Sequence, residues 1–352
     1  MKCRADIILT IGRWLLGALF LFSGFVKSVD TVGTSIYVEK YLVTYSAEWL
    51  MPASVVLAVV LGVVEMALGV MLILRIAPRR VAATTTLVLL FFTTLTLLSA
   101  TLLPLGECGC FGDAVKLTPW GTVLKNVVAL AVAVMLWRRS APQPLCRRDV
   151  VVTTVALLIP LIINIYVLRH LPLIDFLPYK VSTALRDEIV AERQRADEGG
   201  ELLVCRHPES GEIREFDARG DEWYDWDVVD VRSVAPPTED MLYADFRLYN
   251  KFGEECSEEL LMREGVVAWL CIRDVEQLDD DHFAAIERLK AHYPAERIVV
   301  LTSDDVEALN QRVGFECYAV DAMTLRSMMR AEVGVIILDD GVIVDKRAYG
   351  DI

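Results

Sequence analysis

The sequence predicts an α-helical membrane bundle followed by an acidic α/β unit, and three observations carry that prediction. Mean hydropathy is positive, +0.42, although the 352 residues include 49 Asp and Glu, a combination that one uniform soluble fold does not produce. Residues 1–170 hold 15 Lys and Arg against 8 Asp and Glu, whereas the rest hold 20 against 41, so charge divides the chain. Five apolar runs, at about residues 7–27, 50–74, 81–103, 120–137 and 150–168, each have the length needed to cross roughly 30 Å of hydrocarbon.

The first run is read as an uncleaved helix. Arg13 interrupts it, and no small-x-small cleavage site precedes Lys27. Basic residues in short loops set the orientation. Lys2 and Arg4 precede the first span, Arg75, Arg79 and Arg80 follow the second, and Arg138, Arg139, Arg147 and Arg148 separate the fourth and fifth. These segments are expected in the cytoplasm, with the other two loops and everything after residue 168 outside, in the periplasm of a bacterial inner membrane. The outer loop after the first span carries Tyr37, Tyr41, Tyr45 and Trp49. At that spacing a helix would present an aromatic stripe, read as an anchor at the level of the lipid headgroups.

Charges inside hydrocarbon need partners or a function, and Arg13, Glu65 and Lys125 raise that question. At 1.5 Å per residue, Arg13 lies about 9 Å and Glu65 about 13 Å above the cytoplasmic ends of their spans. An intramembrane Arg13–Glu65 pair is therefore expected, as helix glue or in a proton or quinone role. Gly62 and Gly69 share the helical face of Glu65, and Gly17 and Gly24 that of Arg13, so the two helices can approach closely. Lys125, near the outer end of the fourth span, is expected to extend toward the interface.

The stretch GECGCFGDAVKLTPW, residues 106–120, places Cys108 and Cys110 in the second outer loop. Thiols on that side can form persistent disulfides. A Cys-Gly-Cys ring is small and strained, and strain raises the reduction potential, the property of an exchange-active disulfide. Glu107 and Asp113 oppose thiolate formation there, and Lys116 and Lys125 favour it. A structural disulfide or two idle thiols stand beside that reading. Two cysteines supply half of a tetrahedral zinc site, and His170, His207, His282 and His292 form no ligand-spaced cluster, so no metal is expected.

Beyond the fifth span, Pro172 and Pro178 mark an exit, residues 184–201 read as a charged helix and linker, and the folded domain is expected to begin near Leu202. LLVCRHPESGEIREFD reads as strand, turn and strand, and DFRLYNKFGEECSEELLMREG adds a strand and turn before the buried strand VVAWLCI. A helix at 279–291, the strand RIVVLTS, a helix at 305–313, a strand near Tyr318, a helix at 322–330 and an Asp-Gly hairpin in VGVIILDDGVIVDKRAY follow. There is no phosphate-binding glycine loop, and the acidic charge excludes nucleic acid as a partner.

RWLLGALFLFSGFVKSVDTVG, GVVEMALGVMLIL and CGCFGDAVKLTPWGTVLKN together resemble the DoxX-like family, specifically its methylamine-utilisation MauE branch, over about residues 7–137. The resemblance implies a bundle of four membrane helices that works with a thioredoxin-like partner in maturing a disulfide-rich periplasmic protein. It also implies Cys108 and Cys110 as the thiol pair. Where the family pattern follows the lysine of the fourth span with an acidic residue, this chain has Asn126 after Lys125. Residues 244–350 resemble a thioredoxin-like domain of the TlpA or peroxiredoxin type. It is degenerate, since LCIRDVEQ supplies Cys271 alone where two cysteines are expected, and RAEVGV has Glu332 and Val333 where a cis-proline is expected.

The expected organisation is thus a four-helix DoxX/MauE-like membrane domain (1–140), a fifth transmembrane helix (141–170), a linker and hairpin extension (171–243) and a degenerate thioredoxin-like domain (244–352). The expected function is thiol–disulfide exchange through Cys108 and Cys110, with Lys125 and Cys271 as accessory candidates. The partners are the lipid bilayer and a periplasmic or envelope protein client, and a quinone is a candidate cofactor. The alternative is a non-catalytic membrane scaffold whose acidic domain binds another envelope protein.

Overall fold

The computed structural model describes residues 2–102, 109–115, 117–199, 201–208, 210–218, 220–233, 242–243, 246–276 and 278–352, with backbone alone at 2–6, 113, 196–199, 201 and 232–233. Cys108 lies outside the described residues. The chain forms two units, Met1–Phe176 and Leu177–Ile352.

The first unit contains α1 (Lys2–Val29), α2 (Thr31–Thr44), α3 (Ser54–Ile73), α4 (Pro78–Thr101), α5 (Pro119–Arg139) and α6 (Arg147–Arg169). All but α2 are long and apolar enough to cross a membrane. Asp30 separates α1 from α2 by accepting a hydrogen bond from the Gly33 N–H, an N-cap that lets the chain turn and start again. Pro78 and Pro119 open α4 and α5, where the missing N–H costs no helical bond. Leu16, Phe20, Leu68, Leu72, Leu89 and Ala133 fill the centre of the bundle. Leu15, Leu87, Leu124 and Ile162 are exposed on its outside, as lipid-facing positions require.

Glycines set the register of α1 against α3. A Cβ on Gly24 would stand 2.8 Å from the Gly62 carbonyl oxygen and 2.3 Å from the Met66 nitrogen. A Cβ on Gly69 would stand 2.8 Å from the Gly17 carbonyl oxygen and 2.4 Å from the Leu21 nitrogen. The backbones therefore touch directly, Gly17 facing Gly69 and Gly24 facing Gly62, which makes the helices antiparallel. The fifth long helix, α6, is tied in by the Thr31 hydroxyl, which donates to Asn164 Oδ1 at 2.8 Å; the Asn164 amide donates in turn to the Pro160 carbonyl at 2.7 Å.

The second unit begins with α7 (Leu185–Gly199) and a three-stranded antiparallel sheet in the order β2-β1-β3, made of β1 (Glu201–Arg206), β2 (Ile213–Asp217) and β3 (Asp227–Ser233). There follow β4 (Leu248–Tyr249), α8 (Ser257–Leu261), β5 (Val266–Ile272), α9 (Asp280–His292), β6 (Ile298–Thr302), α10 (Val306–Val313), β7 (Cys317–Val320), α11 (Ala322–Met328), β8 (Val333–Asp339) and β9 (Val342–Ala348). They build a six-stranded sheet in the order β4-β7-β6-β5-β8-β9, in which β5, β6 and β7 run parallel and β4, β8 and β9 pair antiparallel. The central strands are buried on both faces, which explains why VVAWLCI and IVVLT are continuous apolar runs rather than alternating ones. The turn between β8 and β9 uses Asp340 and Gly341, both at positive φ (47° and 80°), as a two-residue hairpin demands.

Two features depart from the sequence reading. The fold of the second unit starts well before Leu202. Leu185 and Ile189 of α7 are buried, the Arg186 N–H donates to the Gly341 carbonyl, and Glu192 accepts hydrogen bonds from the Leu242 and Tyr243 N–H groups. Asp187, Glu188 and Arg195 of α7 are exposed, and this outward charge hid an inner stripe of Leu185, Ile189 and Glu192. The strand β3 was not anticipated either; DVVDVRS lies at the edge of a small sheet and exposes Val228, Val229 and Val231, so no buried alternation marks it.

Candidate functional site

Charge inside the bundle is resolved at the end of α1. Lys27 is 5 % exposed and its ammonium donates to Glu65 Oε2 at 2.8 Å, to the Ser23 hydroxyl at 2.7 Å and to the Cys110 carbonyl at 2.7 Å. Three donors meet three acceptors, the condition for holding an ammonium out of water. Ser23, one helical turn before Lys27, donates to the same Cys110 carbonyl at 2.8 Å. The backbone of the cysteine turn is thus fastened to an ion pair within the membrane helices.

The expected Arg13–Glu65 pair does not form. Arg13 donates to the Leu72 and Ile73 carbonyls at 2.5 Å each, satisfying acceptors at the C-terminal end of α3. The glycine register explains the difference. Four residues before Gly17, Arg13 is level with Ile73, four residues after Gly69, and therefore about 12 Å from the level of Glu65. Depth counted from the apolar run ends assumes that the start of α1 and the end of α3 finish flush, whereas α1 extends past α3. The actual partner, Lys27, sits at the edge of the first apolar run, where a lysine reads as a flank. Its i, i+4 relation to Ser23 was the available signal.

This pair lines a cavity of about 350 Å³. Ser23, Lys27, Glu65, Lys125 and Asn126 supply its polar groups, and Gly109, Cys110 and Phe111 form part of its wall. Tyr37, Tyr41 and Tyr45 also line it, so the aromatic stripe of α2 faces inward and not only toward an interface. Trp49, the fourth aromatic residue, is exposed. Gly109 has φ +63°, and a Cβ there would lie 2.5 Å from Tyr37 Cδ1. Glycine is thus required both for the left-handed backbone and for room beneath the tyrosine ring.

Lys125 places its ammonium 4.3 Å from the centroid of the Phe111 ring, a cation–π contact that brings positive charge beside the cysteine turn. Phe111 also packs against Phe22, with centroids 5.4 Å apart. Asn126 donates to the Thr96 hydroxyl at 3.3 Å and so joins α5 to α4 without any carboxylate at that position. Of the two sequence-predicted thiols, Cys110 is half-buried on the cavity wall.

The remaining candidate, Cys271, is fully buried in the middle of the six-stranded sheet, and burial pushes its thiol up to about 12. It cannot supply a thiolate near neutrality. Cys205, Cys256, Cys271 and Cys317 form no disulfides. Among the described residues there is no group of His, Cys, Asp and Glu arranged to hold a metal ion.

Neither a curated protein nor a solved structure matches this chain. The stretch that builds the cavity does match: residues 5–138, comprising α1 to α5, fit the family model described as methylamine utilisation protein MauE, and in that membrane part the chain is similar to this family.

Proposed function

We propose that the chain is a thiol–disulfide component of the bacterial inner membrane, in which Cys108 and Cys110 exchange disulfides with a periplasmic protein client. The observation that carries this reading is the anchoring of Cys110. Its carbonyl is held by both Ser23 and Lys27 at the mouth of the Lys27–Glu65 pair, while its residue lines a cavity. Fixing the backbone of one cysteine on rigid helices positions a thiol pair for exchange, and Lys125 adds positive charge next to it. In this reading the N-terminus is cytoplasmic and the second unit periplasmic, as the basic loops require.

The second unit is read as a thioredoxin-like domain that docks the client and carries no thiol chemistry of its own. Two features favour this: parallel β5 and β6 flanked by the antiparallel hairpin β8–β9, and the burial of Cys271 where a reactive cysteine would have to be exposed.

The test is acid-trapped alkylation of the full chain in cells, with mass spectrometry locating each disulfide and thiol. A partly reduced Cys108–Cys110 pair, or either cysteine in a mixed disulfide with another protein, is the expected result. A pair that is uniformly oxidised and resists mild reductant, or two permanently free thiols, overturns it in favour of a scaffold.

A further inference from the structure

The cavity beside Cys110 has features that thiol exchange with a protein client does not use. Its lining includes Leu57, Val60 and Leu61 of α3 and Phe91 and Leu95 of α4. Val60 and Phe91 line the cavity and are also exposed by 50 % and 59 %. Residues that do both mark an opening through the side of a membrane bundle, onto hydrocarbon. A ligand using this opening must itself be lipophilic, at least at one end.

The polar lining offers both sides of a hydrogen bond. Lys125 has three N–H donors and, among the described residues, meets only the Phe111 ring. Glu65 uses Oε2 for Lys27, and its Oε1 has no hydrogen-bond partner among the described residues. Flat aromatic surfaces from Tyr37, Tyr41 and Phe111 line the same cavity. About 350 Å³ falls within the roughly 300–1,000 Å³ typical of small-molecule sites. A flat ring with carbonyl oxygens and an apolar tail matches each of these features: the ring against the aromatic walls, the oxygens toward Lys125 and Glu65, the tail through the α3–α4 opening.

We infer that this cavity binds an isoprenoid quinone as the electron acceptor of the thiol pair, which rests on the function proposed above. Two S–H bonds, of Cys108 and Cys110, break and one S–S bond forms. The two electrons and two protons released convert the two quinone carbonyls to hydroxyls, giving one quinol per disulfide. Glu65 Oε1 accepts a hydrogen bond from the quinol, and Lys125 donates one to the quinone.

The test titrates a decyl-substituted benzoquinone into the full chain in nanodiscs and counts bound quinone after free quinone is removed. Saturable binding of one quinone per chain is expected. Leu61→Trp and Leu95→Trp, which enlarge lining side chains on two different helices, should each weaken it by about tenfold or more while keeping the melting temperature of the parent. Binding that does not saturate, that neither tryptophan alters, or that an equal concentration of oleate displaces overturns the inference. Mixing the pre-reduced chain with quinone separates the two readings. Binding without quinol formation leaves the quinone site standing and removes the thiol pair as its reductant; quinol formation without cavity-sensitive binding does the reverse.

Discussion

At the scale of single residues, the Lys27–Glu65 pair organises the membrane part. Both side chains are 6 % exposed, so each is a charge that depends on the other for its place in the bundle. Removing one member leaves the other buried and uncompensated, which costs roughly 3–5 kcal/mol. Glu65→Leu is therefore expected to lower the melting temperature of the detergent-solubilised chain sharply. The double variant Lys27→Met with Glu65→Leu should recover most of that loss, because an apolar pair of similar volume removes the uncompensated charge. Neither variant changes Ser23, which donates to the Cys110 carbonyl. Equal melting temperatures for Glu65→Leu and the parent would show that the pair is not buried. The Arg13 interaction is of another kind: a guanidinium meets unpaired helix-end carbonyls, which the sequence alone does not distinguish from a search for a carboxylate.

At the scale of elements, the α1–α3 contact decides which polar residues meet. Its closeness follows from glycine at four positions, and the contacted atoms are backbone, which cannot swing aside as a side-chain end can. Gly24→Val should destabilise the bundle by about 3 kcal/mol, near the upper end of ordinary overpacking. The measurable consequence is loss of monodisperse protein on size exclusion after mild heating. A variant as stable as the parent would contradict the backbone-to-backbone approach. The face shared by Gly17, Gly24 and Arg13, and by Gly62, Glu65 and Gly69, was legible from helical spacing alone. The offset between the two helices was not, because apolar run ends do not show where a partner helix stops.

At the scale of the whole molecule, buried thiols and phenols of the second unit tie stability to alkaline pH. In the second unit, burial holds the thiols of Cys271 and Cys317 at about 12, against an ordinary 9.0. It raises the phenols of Tyr243 and Tyr318 to about 12, against 10.0, with Glu188 and Glu192 adding to the effect at Tyr243 and Glu316 at Tyr318. Below pH about 9 the folded and unfolded chains both keep these protons. From about 9 to about 12 the unfolded chain releases protons that the fold retains, so stability must fall as pH rises through that window. Circular dichroism of the full chain should show the β signal lost at a lower temperature with each step from pH 9 to pH 11. Alkylation at pH 8 should leave Cys271 unmodified in the folded chain. Labelling of Cys271 as rapid as that of exposed Cys146 would refute its burial.

The sequence by itself determined the division into a basic membrane part and an acidic α/β part, the five spans, the order of most strands and helices after residue 244, and the glycine-bearing faces of α1 and α3. These follow from composition and periodicity, which are local properties of a chain. Only the tertiary structure decided that Lys27 rather than Arg13 partners Glu65, that α2 turns its tyrosines onto a cavity, and that α7 belongs to the fold of the second unit. Each of those depends on helix offset or on which face of an element is covered. Both are set by how distant segments pack, and neither leaves a mark in the spacing of residues along one segment.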